Sequence, residues 1–281
     1  MAQETANRQV AHRQTLQPTR HTRGGALIVG ASSGIGAALA QTLAAQGYML
    51  ALVARRADAL GTLCGALNSQ YASVDGAPPV ARAYPHDVRD YDAAPDLFAR
   101  IRDELAPEPL RLVVYVAGVM PRGEETGEND ASWTFAEERE TVETNLIGAI
   151  RWLDLAADTF TQAGGGALIG VSSVAGERGR RGNSAYMASK AGLSVYLESL
   201  RYRLHGRGVR VVTVKPGYVA TPMVEGLTLP KPLVVSAGVV ARRIAQVAER
   251  GPLVVYVPGW WRAIMAGVRS LPAAAMTRLP V

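Results

Sequence analysis

The stretch SAYMASKAG, Ser184 to Gly192, sets a tyrosine and a lysine four residues apart among alanines, serines and a glycine that leave both side chains room. On a helix Tyr186 and Lys190 stack on one face, so a phenol and an ammonium come within reach of one shared partner. A phenol placed this way can give or take a proton, provided that the ammonium stabilises its anion. The same spacing also occurs on solvated helix faces, so the pair acquires chemical meaning only from further partners.

Other residues supply them. Ser172 and Ser173 close an apolar run, ALIGVSS, thirteen residues before Tyr186, and Asn145 lies in a helical stretch before that run. Near the start, VGASSGIG places Gly30, Gly34 and Gly36 around Ser32, Ser33 and Ile35. Backbone without Cβ atoms turns tightly and approaches a pyrophosphate closely, and a helix opening behind such a loop offers free N–H groups and a favourable dipole. Arg55 and Arg56 end the next apolar run with no acid before Asp58, where a dinucleotide's adenosine ribose would lie. Guanidinium groups there suit a 2′-phosphate, whereas a carboxylate would suit a free 2′-hydroxyl; two solvated loop arginines are the other reading. Asp87 and Val88, in HDVRD, would sit beside the adenine, or Asp87 would cap a turn.

The elements that must position these groups alternate. Strands are predicted over 26–30, 49–54, 80–84, 111–118, 167–173, 209–217 and 252–259, and most are apolar without alternation, as strands covered on both faces should be. Between them lie helical stretches at 35–46, 58–70, 92–105, 134–161, 184–205 and 236–250. This alternation predicts an α/β fold of Rossmann type: a doubly wound parallel sheet of about seven strands in three α/β/α layers, within a single domain. Ligands of such sheets bind beyond the carboxyl ends of the strands.

The glycine loop, an asparagine, a serine and Y-x-x-x-K, in this order and at these spacings over about residues 25–259, resemble the short-chain dehydrogenase/reductase family. The resemblance implies an NADP(H)-dependent oxidoreductase that interconverts a carbonyl and an alcohol by hydride transfer. It makes Tyr186 the general acid/base, Lys190 its electrostatic helper and ribose anchor, Ser173 the group that orients the substrate oxygen, and Asn145 the holder of a relay water. Pro216, Gly217, Val219 and Thr221, in KPGYVATPM, would lie beside the nicotinamide, and Ala117 and Gly118 would also border the cofactor. The family's N-N-A-G reads Y-V-A-G here, so Tyr115 and Val116 stand where two bracing asparagines are usual, and Val29 stands where a threonine often precedes the first glycine. A tyrosine titrates near 10, and lowering it to about 7 takes about 4 kcal/mol of phenolate stabilisation. An ammonium one turn away and an oxidised nicotinamide in a partly dry cleft are charges of the right sign and range. A non-catalytic NADP-binding sensor or scaffold of the same fold is the alternative, although it would not need the serine, tyrosine and lysine; a 3-oxoacyl-type reductase of lipid metabolism differs only in substrate.

Composition sets the outer bounds. The chain has 281 residues, 48% hydrophobic and 19% charged, enough for one sizeable core. Its single cysteine, Cys64, reads as a packed hydrophobe and excludes an internal disulfide or a cysteine zinc cluster, so no metal is expected and a reducing, cytoplasmic setting fits. Residues 1–24 read as a disordered basic tail, with an organelle transit peptide as the alternative; the scattered arginines, without interleaved aromatics, argue against nucleic acid. No apolar run approaches a membrane span.

Around the substrate, Met120, Val174, Tyr218, Met223 and Leu227 predict an apolar ketone or alcohol, and the loop 219–235 has the composition of a lid. Arg178, Arg180 and Arg181, between Ser173 and Tyr186, would either meet an acidic substrate or solvate a loop. Residues 260–281 form a basic, tryptophan-containing extension without acids. A helix there would pack on the cleft or on a subunit, or else lie weakly on an anionic membrane through residues 259–271. The family resemblance also implies a homodimer or homotetramer built on the two long helices, 134–161 and 184–205.

Overall fold

In β1 (Gly25–Val29), Ala26 and Ile28 point to one side of the sheet while Leu27 and Val29 point to the other, and each pair joins a separate buried apolar cluster. That two-sided burial explains the unbroken apolar run. The chain is described by a computed structural model over residues 23–71, 78–127 and 130–277; the greater part of the expected basic tail lies outside the described residues.

After β1 come α1 (Gly34–Ala45), β2 (Met49–Ala54), α2 (Ala57–Tyr71), β3 (Ala81–Pro85), α3 (Ala94–Leu105) and β4 (Leu110–Tyr115). A short antiparallel pair, β5 (Glu124–Gly127) and β6 (Asp130–Ser132), precedes α4 (Phe135–Val142), a π-helical turn (Glu143–Ile147) and α5 (Gly148–Gln162). Then follow β7 (Gly166–Val171), a 3₁₀ turn (Val174–Glu177), α6 (Ser184–Arg203) and β8 (Val209–Pro216). The chain closes with β9 (Tyr218–Ala220), β10 (Val234–Ser236), α7 (Ala237–Glu249), β11 (Val254–Val257), α8 (Trp261–Ser270) and α9 (Ala273–Met276).

Seven strands form one parallel sheet in the order β11-β8-β7-β4-β1-β2-β3. Helices α1, α2 and α7 cover one face through Leu39, Leu43, Leu60, Leu67 and Ile244, and α3, α5 and α6 cover the other through Phe98, Ile101, Trp152 and Leu197. Strand order reverses between β1 and β4, so a crevice opens there beyond their carboxyl ends. Cys64 is buried in the first cluster, and burial pushes its thiol up to about 11, as a packed hydrophobe would have it. Among the described residues no helix is long and apolar enough to cross a membrane, and no cluster of side chains could hold a metal ion.

Three features differ from the expected elements. The single long helix over 134–161 is broken by the π turn that carries Asn145. The hairpin β5–β6 stands where no element is predicted. The segment 219–235 is not a structureless lid, because β9 and β10 pair in parallel at its two ends, Tyr218 against Val234, with short 3₁₀ turns between.

Candidate active site

Between β1 and α1 the chain turns through Gly30, whose φ is 101°. A Cβ there would fall 2.4 Å from the Ala117 nitrogen, and one on Gly36 would fall 2.2 Å from the Gly30 carbonyl oxygen. The loop is thus packed against itself and against the end of β4, which explains glycine at both places. The Ser33 side chain makes no capping bond to α1, so the leading N–H groups of that helix remain available to a ligand. This is the donor set a pyrophosphate needs, and the loop fits a dinucleotide.

The loop forms one wall of a cleft of about 820 Å³. Gly30, Ser32, Ser33, Gly34, Ile35 and Gly36 line that wall. Arg55, Arg56 and Val88 line one end, Ala117 and Gly118 the floor, and Pro216, Gly217, Val219 and Thr221 the other end. Ser173, Tyr186 and Lys190 face the same space, as do the predicted substrate contacts Met120, Val174, Tyr218, Met223 and Leu227.

Of the residues predicted to be catalytic or to bind the cofactor, Asp87 and Asn145 do not line the cleft. Arg89 takes both Asp87 oxygens at 2.8–3.2 Å and holds that carboxyl below its ordinary range, while the neighbouring His86 and Val88 face the cleft instead. Asn145 is wholly buried: its Oδ1 accepts from the Val119 N–H at 2.7 Å, and its Nδ2 donates to the Val119 carbonyl at 3.0 Å and to Ser189 Oγ at 3.1 Å. Both amide hydrogens are engaged, so this side chain braces the segment after β4.

The two arginines after β2 differ. Arg55 is paired with Glu140 at 3.0 Å and lies 3.9 Å from Asp87. Arg56 donates to Ser32 Oγ at 3.0 Å and to Ser33 Oγ at 2.7 Å, and has no carboxylate partner among the described residues. Its guanidinium therefore adds uncompensated positive charge to the rim of the glycine loop.

At the centre, Asn183 caps α6 by accepting from the Tyr186 N–H at 2.8 Å, which fixes where the helix begins. Lys190 is 4% exposed; its Nζ donates to the Val171 carbonyl at 3.1 Å and lies 5.8 Å from the centre of the Tyr186 ring. Burial pulls the ammonium down to about 8. Burial also raises the Tyr186 phenol above 10, opposed by a hydrogen bond from Ser173 and by the positive charge of Arg180. In the free protein the phenol is accordingly protonated at neutral pH. Ser173 stands in extended backbone before the 3₁₀ turn and accepts from the Ala175 N–H at 3.1 Å. Ser172 Oγ donates to the Lys190 carbonyl at 2.8 Å and so ties β7 to α6.

The departures from the expected motif have a structural account. The Tyr115 hydroxyl, wholly buried, donates to the Thr144 carbonyl at 2.5 Å and anchors the π turn. Tyr115 thereby braces β4 against the segment that carries Asn145.

Sequence reading overlooks Glu177. Its side chain is 3% exposed, accepts from Tyr256 at 3.0 Å and from Lys215, and forms an ion pair with Arg269 at 3.1 Å. It joins the turn after Ser173 to the residue before Pro216 and to the carboxyl-terminal helix. In sequence Glu177 is one acid in an arginine-rich loop, GERGRRGN, and only the fold gives it partners. Helix α8 rests on this assembly: Trp261 packs edge-on against Tyr218 at 5.6 Å, and a Cβ on Gly217 would fall 1.9 Å from the indole nitrogen.

A sequence model of the family described as short chain dehydrogenase matches residues 25–231. The chain is 37% identical over 253 residues to an uncharacterized oxidoreductase of Mycobacterium tuberculosis, covering 89% of this chain and 95% of that protein. A short chain dehydrogenase of Burkholderia cenocepacia, solved in complex with NADP, superposes with a TM-score of 0.72 at 20% identity, over 93% of this chain and 99% of its own. A 3-oxoacyl-[acyl-carrier protein] reductase of Brucella melitensis superposes with a TM-score of 0.71 at 25% identity, over 86% of this chain and 93% of its own.

Proposed function

From the premise that the chain belongs to the short-chain dehydrogenase family, we propose that it is an NADP(H)-dependent oxidoreductase that interconverts a ketone or aldehyde with the corresponding alcohol. The observation that carries the reading is the convergence of Ser173, Tyr186 and Lys190 on the cleft whose wall is the glycine loop. A sensor of the same fold would need the loop and not the triad. The Burkholderia protein's NADP and the arginine at the loop rim support the phosphorylated cofactor.

The nicotinamide ring, when bound, supplies or accepts the hydride. The glycine loop and the leading N–H groups of α1 would hold the pyrophosphate, Arg56 with Ser32 and Ser33 the 2′-phosphate, and Lys190 the nicotinamide ribose. In reduction Tyr186 gives its phenolic proton to the carbonyl oxygen, and the Ser173 hydroxyl donates to that oxygen as negative charge develops on it. Lys190 offsets the phenolate left behind. Oxidation runs the same proton backward and needs Tyr186 ionised. Reduction is therefore favoured at lower pH, where the phenol is protonated, and oxidation at higher pH.

Tyr186→Phe tests the assignment. Turnover of any carbonyl or alcohol found in a substrate screen should fall by about a thousandfold or more, the order of a lost general acid, while NADPH binding followed by fluorescence stays near that of the parent. Activity within tenfold of the parent would refute the role. The likeness to the Brucella reductase supports a 3-oxoacyl thioester as one carbonyl class for that screen. We further propose that the enzyme is a homo-oligomer, paired through α4 to α6, and that residues 25–259 form its catalytic domain.

A further inference from the structure

The three arginines of the loop between Ser173 and Tyr186 have separate fates. Arg178 donates to the Leu271 carbonyl at 3.1 Å and Arg181 to the Thr277 carbonyl at 3.3 Å, so both pin the carboxyl-terminal segment. Arg180 lines the cleft, and its charge acts on the Tyr186 phenol. A second guanidinium, Arg122, also lines the cleft and lies against the lid, where a Cβ on Gly226 would fall 3.0 Å from its Nη1. Among the described side chains, which exclude those of residues 124–131, neither guanidinium has a carboxylate or hydrogen-bond partner. The acid that does line the cleft, Glu140, belongs to the opposite end, where Arg55 and Arg89 neutralise it.

The remaining wall on this side is apolar, with Met120, Val174, Met223, Val224, Leu227 and Leu229. An apolar chamber lined by the acid/base tyrosine and by two guanidinium groups without a carboxylate partner among the described side chains is matched by an amphipathic molecule. From these observations we infer that the substrate is a carbonyl compound whose apolar body ends in an anionic group, a carboxylate or a phosphate monoester, and that Arg180 and Arg122 select it by that group. Guanidinium forks bind both oxyanions in a bidentate manner, and an interaction that persists through the transition state raises kcat/KM for the charged substrate over its neutral analogue. The inference rests on the oxidoreductase reading for its carbonyl and on the cleft itself for its anion.

The test uses the full chain with NADPH and a matched series: a medium-chain keto acid, its methyl ester, and the phosphate monoester of the corresponding keto alcohol. The acid or the phosphate should exceed the ester in kcat/KM by about tenfold or more at low ionic strength, and the advantage should shrink as salt is added. The larger of the two advantages identifies the head group. Arg180→Gln and Arg122→Gln should each cut that ratio, and the double variant should bring it close to one. Equal kcat/KM for the ester and both charged compounds in the parent, or a ratio that survives in the double variant, overturns the inference. So does an increase in the NADPH dissociation constant that accounts for the loss, because the guanidinium groups would then serve the cofactor. Calorimetric titration of the same compounds into the NADPH complex keeps the two readings apart. Tighter binding of an anionic compound than of the ester, abolished in the double variant, upholds the anion site even where no turnover occurs, in which case it is the oxidoreductase reading that fails. Equal binding in the absence of turnover overturns the anion site.

Discussion

Lys190 carries a conflict between folding and chemistry within one side chain. Its ammonium is 4% exposed and titrates at about 8 against the ordinary 10.5, so holding it charged costs about 3 kcal/mol at neutral pH. The folded protein releases this proton near pH 8 and the unfolded chain near pH 10.5, so the unfolded state binds more protons between those values. The penalty is therefore full below pH 8 and fades as pH rises toward 10.5. Lys190→Met, which keeps much of the packing, should raise the unfolding midpoint of the free protein at pH 7 and lose that advantage by about pH 10, while turnover collapses. A variant no more stable than the parent at pH 7 would show that the Val171 carbonyl compensates the charge. The paired arginines give a second contrast at this scale. Arg56→Ala should raise KM for NADPH about tenfold, the worth of one charge-assisted bond, and leave KM for NADH unchanged. Arg55→Ala, whose charge already faces Glu140, should do much less; equal effects of the two changes would place both arginines on the phosphate.

At the scale of elements, the carboxyl-terminal helix holds the substrate half of the cleft together. Trp261 and Met265 are one helical turn apart, both are 7% exposed, and they pack with Val174, Tyr218 and Leu233, which belong to the serine turn, the proline-glycine turn and the lid. Trp261→Ala should cost about 3 kcal/mol or more through the cavity left behind and should raise the carbonyl KM more than the NADPH KM. Glu177→Gln keeps the shape and removes the charge shared by Lys215 and Arg269; a lower unfolding midpoint with a changed carbonyl KM is expected, and a neutral effect on both would make the network incidental. The sheet was legible because the seven strands are apolar runs bounded by glycine, proline and polar residues, and each predicted strand overlaps an observed one. The glycine loop and Tyr186 with Lys190 are local in sequence, so spacing sufficed. The π turn was not legible, since ETNLIGA has ordinary helical composition and the extra residue answers to a tertiary contact, the Tyr115 hydroxyl on the Thr144 carbonyl. Strands of three residues, β9 and β10, are too short for any periodicity. The partition of Arg55 from Arg56, and of Arg180 from Arg178 and Arg181, depends on partners far away in the chain, which spacing cannot supply.

For the whole molecule, the question is which exposed apolar surface meets a partner. Phe135 is 77% exposed, Val195 66% and Tyr202 68%, on α4 and α6, and Ile147 in the π turn is 42% exposed, so four large apolar side chains sit on neighbouring helices. On the carboxyl-terminal helix the burial of Trp261 and Met265 leaves Trp260 and Ile264 at 40% and 41%. Two half-exposed side chains above a packed helix give little area for an interfacial membrane contact, whereas the first group places four exposed apolar side chains on helices that pack on one another, the kind of surface two subunits can share. Sedimentation velocity at micromolar concentration should therefore find a dimer or tetramer. The double variant Phe135→Glu/Val195→Glu should dissociate it, because two carboxylates per subunit would be buried without partners. Flotation with anionic vesicles should leave the parent in the soluble fraction. A monomeric parent, or an oligomer that survives the double variant, would move the interface elsewhere. Vesicle binding abolished by Trp260→Ser/Ile264→Ser would assign those two side chains to a membrane surface.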